Sequence, residues 1–177
     1  MKKNLFIMFI FLSSCSIYLD SPHENEIRSE NLDFTCLNHY NEFVYKSKIN
    51  GKADGQIFYI TNFSVRLPKK IKSWQQSGNA FFFEYDDKEI IYIDSGYKKQ
   101  KDAGEWILNE TDDDQVYNRL SSYWYKRKYR ENNLKANQLG RLSRVYSDGK
   151  VTILLYNIKS RNFEKYLSLV KNFKYLN

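Results

Sequence analysis

The stretch from Asn79 to Asp94 limits the fold more than any other. Ala80-Phe81-Phe82-Phe83-Glu84-Tyr85 and Glu89-Ile90-Ile91-Tyr92-Ile93 are two short runs rich in aromatic and β-branched residues. Such residues suit a pleated, packed surface. The polar break Asp86-Asp87-Lys88 between them fits a β-hairpin, and Ser95-Gly96 ends it. More strands are expected around this hairpin. Gln56–Ile60 is a β-type run. Phe63, Val65 and Leu67 alternate with Ser64 and Arg66 until Pro68 stops the pattern, as in a half-buried strand. Leu142–Tyr146 and Val151–Ile158 flank Ser147-Asp148-Gly149, a further hairpin signal. The second of these runs is apolar on both faces, which predicts a central strand covered on each side.

Helical spacing appears elsewhere. Thr111-Asp112-Asp113-Asp114 suits a helix start, with Thr111 as the cap and the acids at the positive end of the dipole. Val116, Leu120, Tyr123 and Trp124 follow as one apolar stripe, and Arg127 lays its stem along it. This helix is expected to reach about Arg130. Phe163, Tyr166, Leu167, Val170 and Phe173 predict a closing helix with Asn162 as its N-cap. Spacings of three and four among Phe34, Leu37, Tyr40, Phe43 and Val44 suggest a short helix within Leu32–Tyr45. Lys69–Gly78 reads as a polar connection carrying Ile71 and Trp74. Tyr97–Glu110 reads as a loop anchored by Trp106-Ile107-Leu108. The order is strands, hairpin, helix, hairpin, helix. It predicts an α+β fold, an antiparallel β-sheet with helices packed on it. The 42% hydrophobic and 17% aromatic content suffices for a core and excludes wholesale disorder.

The N-terminal end has a different character. Lys2 and Lys3 precede an unbroken apolar run from Leu5 to Leu12, and Ser13-Ser14-Cys15 follow. This is a secretory signal, too short to span a bilayer as a helix. Residues 16–31 are polar and acidic, with no apolar period, and read as a flexible tether. The expected organisation is therefore a signal peptide over 1–14, a tether over 15–31 and a single α+β domain over 32–177. The net charge is +7, and Lys2 and Lys3 contribute two of those charges. The modest excess left on the body is mostly solvated surface or lies near anionic headgroups.

Leu12-Ser13-Ser14-Cys15 resembles the lipobox of bacterial lipoproteins. The resemblance implies that Cys15 receives a diacylglycerol on sulfur, that cleavage falls just before it, and that the new N-terminus is usually acylated. The membrane is then a partner through a diacylglyceryl-cysteine. Ser16 stands where an Asp retains enterobacterial lipoproteins in the inner membrane, so the outer membrane is expected where the host has one. Once Cys15 is acylated, Cys36 has no intramolecular partner and the fold rests on packing. Phe63-Ser64-Val65-Arg66-Leu67-Pro68 with Trp74 downstream, the aromatic hairpin, the mid-chain helix, the Asp-Gly hairpin and the ending Phe163, Tyr166, Val170, Phe173 resemble PsbP/Mog1-like α/β/α sandwich proteins. That likeness runs over about residues 56–176 and implies a binding or assembly scaffold with no catalytic set.

Few residues suggest chemistry. Cys36 and His39 stand three apart, on one face if helical, but no third group orients them, so an idle thiol is favoured over a nucleophile. The histidines are His23 and His39, too few for structural zinc. The acids of Asp112–Asp114 cap a helix more readily than they ligate calcium. Gly-x-Ser-x-Gly and His-Glu-x-x-His motifs are absent. Tyr123, Trp124, Lys126, Arg127, Lys128, Tyr129 and Arg130 form a candidate interaction patch, read as a solvated helix face, a headgroup-facing patch or a protein contact. Nucleic acid is set aside for an exported chain. No cofactor and no metal are expected. The expected function is a non-enzymatic envelope lipoprotein that binds or assembles with a protein partner. The alternatives are an immunity or exclusion lipoprotein, or a carrier of a small apolar ligand.

Overall fold

A computed structural model describes residues 18–20, 26–28, 31–46, 50–53, 56–97, 102–130 and 134–176. The leader and Cys15 lie outside the described residues. In chain order the strands are β1 (Glu26–Arg28), β2 (Leu32–Cys36), β3 (Asn41–Tyr45), β4 (Asn50–Ala53), β5 (Gln56–Tyr59), β6 (Phe63–Leu67), β7 (Ser73–Ser77) and β8 (Ala80–Glu84). A 3-10 turn at Asp86–Lys88 leads to β9 (Ile90–Asp94), β10 (Ile107–Glu110) and helix α1 (Asp113–Lys126). Then come β11 (Arg141–Ser147), β12 (Thr152–Lys159), helix α2 (Ser160–Val170) and β13 (Lys174–Tyr175).

Among the described residues the strands form two antiparallel sheets and a separate hairpin of β4 and β5. One sheet has the order β1-β2-β3-β6-β13, the other β10-β11-β12-β9-β8-β7. Alternation explains how they face each other. In β3 and β6, Phe43, Tyr45, Phe63, Val65 and Leu67 are buried while Val44, Ser64 and Arg66 are only half-buried. They meet Phe81 and Phe83 of β8. The Phe43 ring lies 5.1 Å from Phe83, and Phe63 lies 5.2 Å from Phe81, both edge-on. Beyond the area they bury, such pairs each add about 0.5–1.5 kcal/mol. Central strand β12 is buried on both faces, as its sequence predicts. Ile153 and Leu155 join the core between the sheets, and Leu154 and Tyr156 join a second core beneath α1. The layers are thus five-stranded sheet, six-stranded sheet and α1. Helix α2 packs on β12 and β6 and fills the core between the sheets with Phe163, Tyr166, Leu167 and Val170. The result is a mixed α+β fold. No helix among the described residues is long and apolar enough to cross a membrane.

Several expectations are corrected. Leu32–Tyr45 is not a helix but the β2–β3 hairpin, with Phe34 opposite Phe43. Leu37 and Tyr40, which gave the helical spacing, sit in its turn, where Leu37 N donates to Tyr40 O at 3.0 Å. Lys69–Gly78 contains edge strand β7, whose Trp74, Gln75 and Gln76 are half-buried; edges tolerate such polarity. Residues 107–110 form the opposite edge, β10, exposed along its length, so Trp106 alone of the expected anchor packs inward, on Tyr146 and Phe173. Helix α1 is capped by Asp112, whose Oδ1 accepts from Gln115 N at 2.7 Å, rather than by Thr111, which donates to Gln115 Oε1. It ends at Lys126, because Lys128 is left-handed with φ 57°. Helix α2 follows β12 without a side-chain cap, so Asn162 lies inside it.

Two described pieces of the stretch read as a tether are attached to the body. Glu26–Arg28 pair with β2. Earlier, Leu19 N donates to Ile71 O at 2.8 Å and Tyr18 donates its hydroxyl to Asp86 at 2.5 Å. Asp20 is buried. Its carboxylate accepts from Lys70 N at 2.7 Å, Ile71 N at 3.0 Å and Asn41 Nδ2 at 3.0 Å, with Lys69 Nζ at 3.5 Å. Polar composition hides this because one well-placed acid ties down a segment that has little apolar surface. Asp20→Ala strands two backbone N–H groups, one of them buried, and should cost about 3 kcal/mol in urea unfolding. Asp20→Asn, which keeps one acceptor, should cost roughly half of that. An Asp20→Ala midpoint equal to wild type would show the segment undocked.

Candidate functional site

The helix-end patch is split by the fold. Tyr123 and Trp124 are core residues, not surface ones. The Tyr123 ring stacks on Phe82 at 4.8 Å and its hydroxyl donates to Glu84 Oε2 at 2.7 Å. Burial first, and then Glu84, push its pKa up to about 12. Trp124 Nε1 donates to Arg130 O at 3.2 Å, and its ring lies against Tyr129. Arg127 turns back to Tyr123 and to Glu84 Oε2, 3.4 Å away. Tyr129 is half-buried, and its hydroxyl reaches Glu84 Oε1 at 3.3 Å. Lys126, Lys128 and Arg130 remain on the surface with Tyr125, which is 76% exposed. The aromatics of the patch therefore bind the body, and mainly its cations look outward.

Beside the buried Trp124 lies a cleft of about 550 Å³. It is walled by Asp87, Lys88, Trp124, Lys135, Gln138, Arg141, Tyr156 and Asn157. A bulge shapes it. The β11–β12 register slips between Leu142 and Arg144, and the buried Ser143 Oγ accepts from Asn157 N at 3.0 Å. Asn157 takes a left-handed φ of 56°, so Ile158 falls on the core face and the Asn157 side chain faces the turn. Its Nδ2 donates to Asp87 O at 3.1 Å and to Lys88 O at 3.2 Å. Asp87 and Lys88 are themselves left-handed, with φ 56° and 60°. Three non-glycine residues in this region at one wall are costly, and such strain gathers at functional sites. Asn157 Oδ1 is buried and accepts from no donor among the described residues.

Three cations and one carboxylate line the cleft. Arg141 Nη1 donates to Asn157 O at 3.0 Å and lies 3.9 Å from Glu89 Oε1. Asp87 is paired with Lys159, whose hydrogen bond and charge hold its carboxyl below the usual carboxylate range. Lys135 pairs with Asp113 at 2.9 Å. Lys88 lies over the Tyr129 ring, 4.8 Å from its centre. Lys88, Lys135 and Arg141 line the cleft with Trp124 and Tyr156 as aromatic walls, and Asp87, Glu89 and Asp113 answer part of the charge on Arg141 and Lys135. Side chains of these types can take up an anionic group. Of these residues the sequence reading singled out only Trp124. The visible signal for the rest was Asn157, a lone amide inside an otherwise apolar strand. A smaller recess of about 200 Å³ lies across the same turn, lined in part by Lys69, Lys70, Asp86 and Asn162.

Cys36 ends β2, and His39 sits exposed in the following turn, not beside it on a helix face. Burial pushes the Cys36 thiol above its ordinary value, which disfavours the thiolate a nucleophile needs. Among the described residues no three His, Cys, Asp or Glu side chains are grouped to hold a metal.

Two outcomes test the cleft. Asn157→Gly relieves the left-handed backbone but loses both bonds to the turn, so net destabilisation of about 1 kcal/mol is expected on denaturation. Asn157→Val adds strain and should be worse. Asp87 has a depressed folded-state pKa, so its contribution is present above the unfolded value and is lost as pH falls through the folded one. A carboxyl chemical-shift titration should place its midpoint below that of an ordinary aspartate, and Lys159→Ala should move it back up. Comparison with protein-family models, with curated proteins and with solved structures finds no match to this chain.

Proposed function

We propose that the chain is a lipid-anchored envelope lipoprotein whose body is a non-catalytic module that binds a protein partner through the cationic cleft. The observation that carries the binding reading is the cleft itself. It joins strained backbone, three cations and two aromatic walls, with no metal-ligand cluster among the described residues. The Leu12-Ser13-Ser14-Cys15 motif supports the anchor, and Ser16 after it supports the outer membrane in a host with two membranes. The PsbP/Mog1-like likeness belongs to the same proposal for the six-stranded sheet and α1. The second sheet packed on the other face departs from an α/β/α order. A carrier of apolar cargo is disfavoured by the polar and charged lining of the described clefts.

The test joins both halves of the reading. Mass spectrometry of the protein taken from envelopes should find a diacylglyceryl Cys15 as the first residue. A photoreactive amino acid at Gln138, in the cleft, should cross-link one envelope protein, and Lys88→Glu with Lys135→Glu should abolish that product. A mature chain beginning at Met1 sinks the anchor. A Gln138 probe that yields no product above the level of a probe at Ser77 sinks the cleft.

A further inference from the structure

The docking of Tyr18, Leu19 and Asp20 decides which end of the body can meet a membrane. Only Ser16 and Ile17 separate Cys15 from Tyr18. Even fully extended, that stretch reaches about 11 Å. A body of this size is on the order of 40 Å across. An acyl chain at Cys15 therefore cannot present the far side of the molecule to a bilayer while residues 18–20 stay bound.

They are bound at one end of the sandwich. Tyr18 is held by Asp86, Leu19 by Ile71, and Asp20 by Asn41 and the 70–71 backbone. The strand registers place Asn41, Leu67, Ser73, Glu84 and Ile90 at that end, and Tyr45, Ser77, Ala80 and Asp94 at the other. The acids near the anchored end are already engaged: Asp86 lies 3.5 Å from Lys72 and Asp87 pairs with Lys159. Lys70 and Lys88 are exposed and make no ion pair among the described residues. Both take left-handed backbone, Lys70 with φ 72° and Lys88 with φ 60°, and the Lys88 ammonium lies over the Tyr129 ring at the mouth of the cleft. Cations presented at a headgroup layer are attracted by it.

We infer that the end formed by the 68–72 loop and the Asp86–Lys88 turn is the membrane-apposed face, held against the phospholipid headgroups by the two-residue leash between Cys15 and Tyr18. The inference rests on the acylation of Cys15 proposed above. It deepens that reading, because Asp87 and Lys88 also wall the cleft. The cleft then opens close to the headgroup plane, and its partner is one that presents an anionic group at the membrane surface.

The test uses the acylated mature protein in vesicles of phosphatidylcholine and phosphatidylglycerol doped with a nitroxide-headgroup lipid. In a Cys36→Ser background a fluorophore is placed at His39→Cys, in the turn beside Asn41, or at Ser77→Cys at the other end. The His39 label should be quenched at least threefold more than the Ser77 label. Inserting twelve Gly/Ser residues between Ser16 and Ile17 should bring the two within a factor of 1.5. Equal quenching with the native leash, or stronger quenching at Ser77, overturns the orientation. A difference that survives the long insertion overturns the leash as its cause. A protein that carries no acyl group and does not float with vesicles fails the anchor reading itself, a separate result read before any quenching.

Discussion

The interlocked rings of Phe43, Phe63, Phe81 and Phe83 are what the rest of the structure depends on. They come from three strands in two sheets, and their centres lie 5.1–5.9 Å apart. Neither sheet could bury its inner face alone. No disulfide ties the described chain together, and Cys36 is free. Apolar area therefore has to supply the cohesion, at about 25 cal/mol for each Å² removed from water. Rings this closely packed also tolerate little change in volume. That rigidity explains how irregular features, the bulge at Ser143 and the left-handed turn, can persist at the margin of the same sheet.

Legibility followed burial. The β8–β9 hairpin, β6 and β12 were readable because one or both faces are apolar, and apolar faces leave a period in the sequence. The stripe Val116, Leu120, Tyr123, Trp124 was readable for the same reason, and all four are buried. Edge strands β7 and β10 left no such trace, since half or all of each faces water. The β2–β3 hairpin was masked by a coincidence. Leu37 and Tyr40 sit in its turn, yet they fall three residues from Phe34 and Phe43 and mimic a helix. The helix-end patch was half legible. Its residue types were right for an interface, but the period that marks a helix face also put Tyr123 and Trp124 in the core.

The cleft was nearly invisible for a different reason. It depends on a register slip and on three left-handed residues, and neither has a compositional signature when no glycine is used. Asn157 shows why glycine is absent there. Its Nδ2 bonds to two carbonyls of the turn, Asp87 O and Lys88 O, which a glycine could not do. Asparagine tolerates the left-handed region better than most residues, so one side chain both permits the bend and holds the opposite wall.

Buried charge ties the two clefts to the rest of the body. Glu84 and Glu89 bracket the Asp86–Lys88 turn, and both are buried. Glu84 takes the hydroxyls of Tyr123 and Tyr129 and the Arg127 guanidinium, which fixes α1. Glu89 takes Lys159 N at 2.8 Å and the Tyr166 hydroxyl at 2.9 Å, which fixes the junction of β12 with α2. A carboxylate taken out of water is costly unless its lone pairs are filled, so each glutamate demands its partners in place. Asp20 makes the same demand of the N-terminal segment a short distance away. Three buried acids thus converge on one end of the sandwich and bind both helices and the N-terminal segment to it. Strain, charge and the attachment of residues 18–20 share that end, where the Asp86–Lys88 turn and the 68–72 loop lie together, while hairpin turns and the Asp148–Tyr175 contact lie at the opposite end.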